Sequence, residues 1–249
     1  MPLRLTAVTW NVHKCIGGLD RRYDPVRIAA VLAAAEPDVV LLQEVAQNGS
    51  HYRFERQVDV LGDLLGLPYR SYFVNVRFGA RRGEYGNAIL SRAQIVATEN
   101  VDLTLPRKKA RSVLHAELRL ATPDGHSRTL HAFNLHLGLA ERERREQLRR
   151  LLEARPMQAV RARTPMIVAG DFNDVYGTLG QRLLVPAGFR GPTRAWRTFP
   201  AWAPVRALDS FFVRGDVELE ALERPRTGKA RTASDHLPLI ARLQVLSAG

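Results

Sequence analysis

Met166-Ile167-Val168-Ala169-Gly170-Asp171-Phe172-Asn173 is an aliphatic run that ends at a glycine and is followed at once by a carboxylate and an amide. A short apolar run bounded by a turn signal reads as a buried strand. Gly170 lets the backbone bend where the strand stops. Alternation predicts that the side chains of Asp171 and Asn173, two residues apart, lie on the same side and meet one reacting centre. Alone, an Asp-x-Asn turn is only a turn signal.

The pattern repeats along the chain. Thr9-Trp10-Asn11-Val12-His13 closes an apolar run that starts at Leu5, and Leu42-Gln43-Glu44-Val45 continues Val39-Val40-Leu41. Tyr85-Gly86-Asn87, Asn134-Leu135-His136-Leu137 and Ser234-Asp235-His236 complete the series. Glu44 stands at the end of a run long enough to be a buried strand, so its carboxylate needs a partner. The residue types are carboxylates, amides and imidazoles, with no serine or cysteine nucleophile placed beside them. Hard oxygen ligands of this kind suit magnesium or manganese rather than zinc. With two histidines nearby, they point to water-driven attack on a phosphate ester.

Strands are predicted over Leu5–Val12, Val39–Gln43, Tyr72–Val76, Asn87–Leu90, Val113–Leu120, Thr129–Leu135, Met166–Ala169, Ser210–Val213 and Leu237–Leu243. Helices are predicted over Pro25–Ala35, with Asp24 as N-cap and Pro37 as stop, over Glu55–Leu65, Glu141–Ala154 and Leu179–Ala187. In Glu141–Ala154, Leu148, Leu151 and Leu152 mark one face; the glutamates and arginines read as a solvated face with ion pairs such as Glu141 with Arg145. Strands outnumber helices and neither segregates to one half. The fold class is therefore α/β, with two β-sheets packed face to face and helices outside. One domain, residues 1–249, is the default for a chain of 249 residues.

The six motifs, in this order, resemble the endonuclease/exonuclease/phosphatase superfamily, whose members include DNase I, abasic-site endonucleases, inositol polyphosphate phosphatases and neutral sphingomyelinases. The resemblance runs from Asn11 to His236 and implies a DNase I-like four-layer α/β sandwich. It also implies roles. Glu44, Asn11 and Asp235 would bind the Mg2+ or Mn2+, and Asp171 would deprotonate the attacking water with Asn173 holding it or the phosphate. His136 and His236 would contact the phosphate, Asp209 would orient His236, and Asn87, Tyr85 and Arg111 would bind substrate. His136 departs from abasic-site endonucleases, which carry a tyrosine there. His13, His51, His115, His126 and His131 read as surface or core histidines, with His13 set apart only because it adjoins Asn11.

Composition narrows the substrate less than the chemistry. Hydrophobic residues make up 45% and charged residues 25%, which favours neither disorder nor a membrane-spanning class. The formal charge of +12 fits a polyanionic partner. Only four of the 37 basic residues are lysines, so arginine excess from coding composition is an equal reading. The favoured expectation is a DNA or RNA nuclease. Thr193-Arg194-Ala195-Trp196-Arg197-Thr198-Phe199-Pro200-Ala201-Trp202 offers arginines interleaved with aromatics for stacking on a strand, or else a packed lid. The alternatives are a phospholipid or inositol-phosphate phosphoesterase at an anionic membrane surface, and an inactive binding module on the same scaffold. Lys108 and Lys109 read as loop residues able to touch a polyanion. Cys15 is the only cysteine and is expected to pack rather than react. A monomer in the cytoplasm is the remaining expectation.

Overall fold

The computed structural model describes residues 2–79, 81–122 and 125–246. In chain order the elements are β1 (Leu3–Asn11), α1 (Pro25–Ala33), β2 (Val39–Gly49), α2 (Gln57–Leu65), β3 (Tyr69–Arg77), β4 (Arg82–Ser91), β5 (Gln94–Asp102) and β6 (Ser112–Ala121). They continue with β7 (Ser127–His136), α3 (Glu141–Glu153), α4 (Arg155–Gln158), β8 (Met166–Asp171), α5 (Leu179–Leu183), β9 (Asp209–Arg214), β10 (Val217–Glu223), α6 (Gly228–Ala233) and β11 (Leu239–Val245).

Two mixed sheets result. One has the order β10-β11-β1-β2-β4-β3 and the other β5-β6-β7-β8-β9. Strands β1 and β2 pair in parallel, as do β7 and β8, while the other pairings are antiparallel. Alternation along β1 and β2 sends Ala7, Val39 and Leu41 into the core between the sheets and Val8, Trp10, Val40 and Leu42 into the core beneath α1, α2 and α6. On the second sheet, Ala132 and Ile167 face the inter-sheet core, while Phe133, Leu135 and Val168 face α3, α4 and α5. Strands buried on both faces read as continuous apolar runs, which is why these were legible. The layering is helix, sheet, sheet, helix.

The helix reading holds locally. Asp24 Oδ1 accepts from the Arg27 amide at 3.0 Å as the N-cap of α1, and α2 ends at Gly66 with φ +62°. In α3, Leu148 and Leu151 are buried and Arg145 pairs with Glu141 at 2.9 Å. Two expectations change: α5 stops at Leu183, short of Ala187, and Glu143 and Arg144 are buried too, because the first turn of α3 packs against the loop that leaves β7, where Arg144 donates to the Leu139 carbonyl. Strands β5 and β10, absent from the sequence reading, are both sheet edges. Among the described residues, no helix is long and apolar enough to cross a membrane.

The sheets are also joined by polar contacts. Asn134 on β7 donates to the carbonyls of Leu42 and Ala88, each at 2.8 Å, and accepts from Gln43 Nε2 at 2.7 Å. All of these groups are buried, so each amide hydrogen bond avoids a desolvation loss of about 1–3 kcal/mol. This clamp ties β7 to β2 and β4 at the end of the sandwich where the polar motifs gather.

Candidate active site

Three functional side chains stand side by side because neighbouring strands end together. His136 on β7 is the register partner of Asp171 on β8, and Asp171 is that of Asp209 on β9. Gly170 makes the close approach feasible. Its φ is +146°, and a Cβ there would lie 2.0 Å from the Leu135 carbonyl oxygen. Asn173 reaches the pocket by a different route from the strand alternation expected. The strand stops at Asp171, and Asn173, at φ +51°, donates its backbone N–H to Asp171 Oδ1 at 2.8 Å. An Asx turn therefore aims it, and its side chain donates to the Leu137 carbonyl at 2.9 Å.

Asp171 is 1% exposed. Its Oδ2 accepts from Asn11 Nδ2 at 3.0 Å and lies 3.5 Å from His136 Nε2 and 3.9 Å from His236 Nε2. Burial raises its carboxyl to about 6, against the pull of His236 and the Asn11 amide. His236 takes the opposite course. Burial alone would lower it, but Asp209 and then Asp171 raise it to about 10. Its Nδ1 bonds Asp209 Oδ2 at 2.8 Å, and Thr198 Oγ1 donates to the same oxygen at 2.5 Å. His136 is neutral: burial, then the charge of Arg111, holds it well below the usual imidazole range.

Across the pocket lies a second set. Strand β2 bulges between Leu42 and Val45 against β4, so Gln43 and Glu44 together oppose Asn87. Glu44 takes φ +56° in this bulge, a left-handed conformation that costs an L-residue about 1–3 kcal/mol and re-aims the side chain. Three consecutive residues after β1, His13, Lys14 and Cys15, also have positive φ, and this tight turn brings the Lys14 ammonium against Glu44. Although burial opposes it, Lys14 keeps the Glu44 carboxyl below its ordinary range. Asp235 enters the same pocket, fixed by Ser234 Oγ, which donates to the Asn11 carbonyl at 2.7 Å.

Two groupings could hold a cation. Glu44, Asn11 and Asp235 all line the pocket and offer oxygen donors, as magnesium or manganese requires. Asp171, Asp209 and His236 bring ligand atoms within 4.8 Å of one another. In that group, however, one imidazole nitrogen serves Asp209 and the ring is protonated at neutral pH. The oxygen set fits a hard divalent ion better.

The pocket that gathers these residues measures about 450 Å³ and includes Lys108, Lys109 and Arg111 in its wall. Arg111 is buried, its Nε has no hydrogen-bond partner, and among the described residues it makes no ion pair. Tyr85 and Asn87, expected to bind substrate, do not line the pocket. The Tyr85 ring lies beneath Lys14 and Lys109, whose Nζ atoms stand 4.7 and 5.1 Å from its centroid. Asn87 is fully buried, and its amide nitrogen donates to the Ser112 carbonyl at 3.1 Å and faces the Asn134 carbonyl at 3.5 Å. The sequence reading missed Lys14 and the bond from Thr198 to Asp209. Lys14 stands three residues after Asn11, and Thr198 opens Thr198-Phe199-Pro200, a stretch that resembles a motif of small bacterial members of the family.

Residues 8–236 match the profile of the Endonuclease/Exonuclease/phosphatase family. The chain is 30% identical over 257 residues to the uncharacterized protein YbhP of Escherichia coli, across 96% of this chain and 95% of that one. It is similar to an endonuclease/exonuclease/phosphatase from Beutenbergia cavernae, with TM-score 0.80 and 25% identity over 98% of this chain and 72% of that chain. It also shares its fold with the mannosyl-6-phosphatase Bt3783 of Bacteroides thetaiotaomicron, at TM-score 0.68 and 19% identity over 96% and 99% of the two chains.

Proposed function

The chain belongs to the endonuclease/exonuclease/phosphatase family, and from that premise we propose that it is a divalent-metal-dependent phosphoesterase in which Asp171 deprotonates the attacking water. One observation carries this reading. Asp171 is buried between a neutral and a charged imidazole, with its carboxyl raised to about 6. A base poised just below neutral pH is mostly ionised in the cell yet still takes a proton readily.

The other residues follow from their surroundings. Asn173 and the Asn11 amide fix the Asp171 carboxylate, and Asn173 at the pocket wall positions the water. Charged His236 presents Nε2 to a phosphoryl oxygen, with Asp209 holding the ring in one orientation. Neutral His136 donates a hydrogen bond to the same group, and Arg111 with Lys109 offsets the negative charge that builds during attack. Magnesium or manganese, held by Glu44, Asn11 and Asp235, would supply Lewis-acid charge neutralisation at the phosphoryl group.

For substrate we propose a nucleic acid strand. The formal charge of +12 supports it, as does the loop beside His236. There Arg194 stacks 4.4 Å over the Trp196 ring and Trp202 is 55% exposed, a combination suited to bases and phosphates. A second reading, a small phosphate ester, is supported by the 450 Å³ pocket and by the mannosyl-6-phosphatase that shares the fold.

A hydrolysis panel separates them: plasmid and single-stranded DNA, RNA, a generic phosphodiester, sugar and inositol phosphates and anionic liposomes with sphingomyelin, each with magnesium, manganese or EDTA. Cleavage of nucleic acid that EDTA and Asp171→Ala abolish supports the nuclease. Turnover of a small ester or a lipid with nucleic acid untouched replaces the substrate and keeps the mechanism. No hydrolysis anywhere would leave a binding module.

A further inference from the structure

On the outer face of the second sheet, away from the inter-sheet core, β6 and β7 bring together two histidines and a glutamate that the phosphoesterase reading leaves unused. His115 and Glu117 are two apart on β6 and so share a face. His131 on β7 is the direct cross-strand partner of Glu117. Ring nitrogens of His115 and His131 meet at 2.9 Å with the ring planes 3° apart. One ligand atom from each of the three residues lies within 4.8 Å of the other two.

We propose that His115, Glu117 and His131 form a second metal site that binds a zinc-class transition ion. Two imidazoles and one carboxylate form a donor set suited to zinc, cobalt or nickel, and two nitrogens disfavour magnesium and calcium. The rings are ready to ligate. His115 is 3% exposed and stacked on Phe133 with centroids 4.3 Å apart, so its orientation is fixed. Burial lowers the proton affinity of His115, and partial burial that of His131. Entry is open, because Glu117 and His131 line a cleft of about 560 Å³ between the sheet and the segment that follows α4.

Three of the nearby cations are held by carboxylates other than Glu117. Arg155 is engaged by Glu99 at 2.6 Å, and Arg128 and Arg163 share Asp216. Two nitrogens on a tetrahedral ion stand about 3.3 Å apart, so the nitrogens need part by only a few tenths of an ångström, with the half-buried His131 ring turning so that its lone pair meets the ion instead of His115. The ion would replace the hydrogen bond between them and leave one coordination position facing the cleft. His131 lies five residues before His136 on β7, about 17 Å along the strand, so this site is separate from the catalytic pocket.

The test is uptake of Co2+ and Zn2+ by EDTA-stripped protein in excess Mg2+, read by the visible band of tetrahedral cobalt, by calorimetric stoichiometry and by melting temperature. One equivalent is expected, retained in Glu44→Gln and weakened by about 100-fold or more in His131→Ala and in Glu117→Gln. Glu117→Gln is near-isosteric and lies at the cleft, so it keeps the test valid if His131→Ala misfolds. Absence of uptake overturns the proposal. So does binding that disappears in Glu44→Gln and survives both other variants, which would put the ion in the catalytic pocket.

Discussion

His136 and His236 occupy the same pocket, are 3% and 5% exposed, and lie 3.5 and 3.9 Å from the same oxygen of Asp171. Their proton affinities nonetheless diverge in opposite directions from the ordinary imidazole value. Burial lowers both rings; what separates them is the charge behind each. His236 has Asp209 at 2.8 Å, whereas His136 faces Arg111 and the lysines of the cationic wall. Position near a carboxylate therefore does not decide the charge of a buried imidazole. The second neighbour does, and it lets one pocket hold a cationic donor and a neutral one at the same pH.

Asp209→Asn attacks this difference most directly. It removes the carboxylate from His236 and keeps the shape, so the ring should lose its proton at neutral pH and resemble His136. Turnover of a generic phosphodiester should fall by about a hundred- to ten-thousand-fold, with an unchanged far-ultraviolet circular dichroism spectrum. Full activity with a neutral His236, measured by nitrogen NMR of the ring, would remove the charged donor from the mechanism.

The pH profile comes next. kcat/KM should rise through about 6 as the Asp171 cluster ionises and fall toward about 10 as His236 loses its proton. In Asp209→Asn the falling limb should move down. Stability tracks the same groups with opposite signs. The folded value of His236 is raised above about 6.5, so its contribution is complete below that pH and lost as pH climbs through about 10. The folded value of His136 is depressed, so proton uptake by the unfolded chain lowers stability as pH falls below about 6.5. Melting temperatures across this range would test both, and a flat profile would refute the assigned charges.

Arg111→Met probes the other side of the comparison. With the guanidinium gone, the His136 ring should titrate at a higher pH, and KM should rise by about tenfold or more as the anionic substrate loses a partner. Because Arg111 is buried, Lys109→Met at the pocket wall serves as the second variant, with the same direction and a smaller shift. An unaltered KM in both would place the substrate phosphate away from this wall.

The residues of this contrast, though not their opposite charges, were readable before any geometry. Asp171, His136 and His236 stand at ends of apolar runs, where a polar residue on a doubly buried strand has few explanations, and Asp209 came through the family resemblance. The edge strands β5 and β10 were missed because one face of each meets water, and Val96-Ala97-Thr98-Glu99 and Glu218-Leu219-Glu220 carry no buried run. Lys14 was passed over because only the left-handed turn at residues 13–15 aims it at Glu44. His115 and His131 looked like unrelated core or surface residues, since their meeting depends on the register of two strands. Asn87 shows the converse, a residue in the expected motif whose amide hydrogens go to the carbonyls of Ser112 on β6 and Asn134 on β7.

Thr198→Val should have the smallest effect and the most informative sign. Thr198 sits eleven residues before Asp209, and its hydroxyl shares Asp209 Oδ2 with His236 Nδ1. Its backbone is held at both groups, by the Arg206 carbonyl at 2.8 Å and the Leu237 amide at 2.9 Å, so valine should keep its place with only the hydroxyl lost. A hydrogen bond to a charged acceptor contributes about 1.5–3 kcal/mol, and its removal should lower stability within that range. The carboxylate, no longer shared, should hold the His236 proton more tightly. The ring pKa should therefore rise where Asp209→Asn makes it fall, and turnover should drop by about tenfold at most. A downward shift in Thr198→Val would mean that the hydroxyl keeps Asp209 in place rather than tempering its charge, and the explanation of why His236 differs from His136 would then rest on loop packing as much as on the carboxylate.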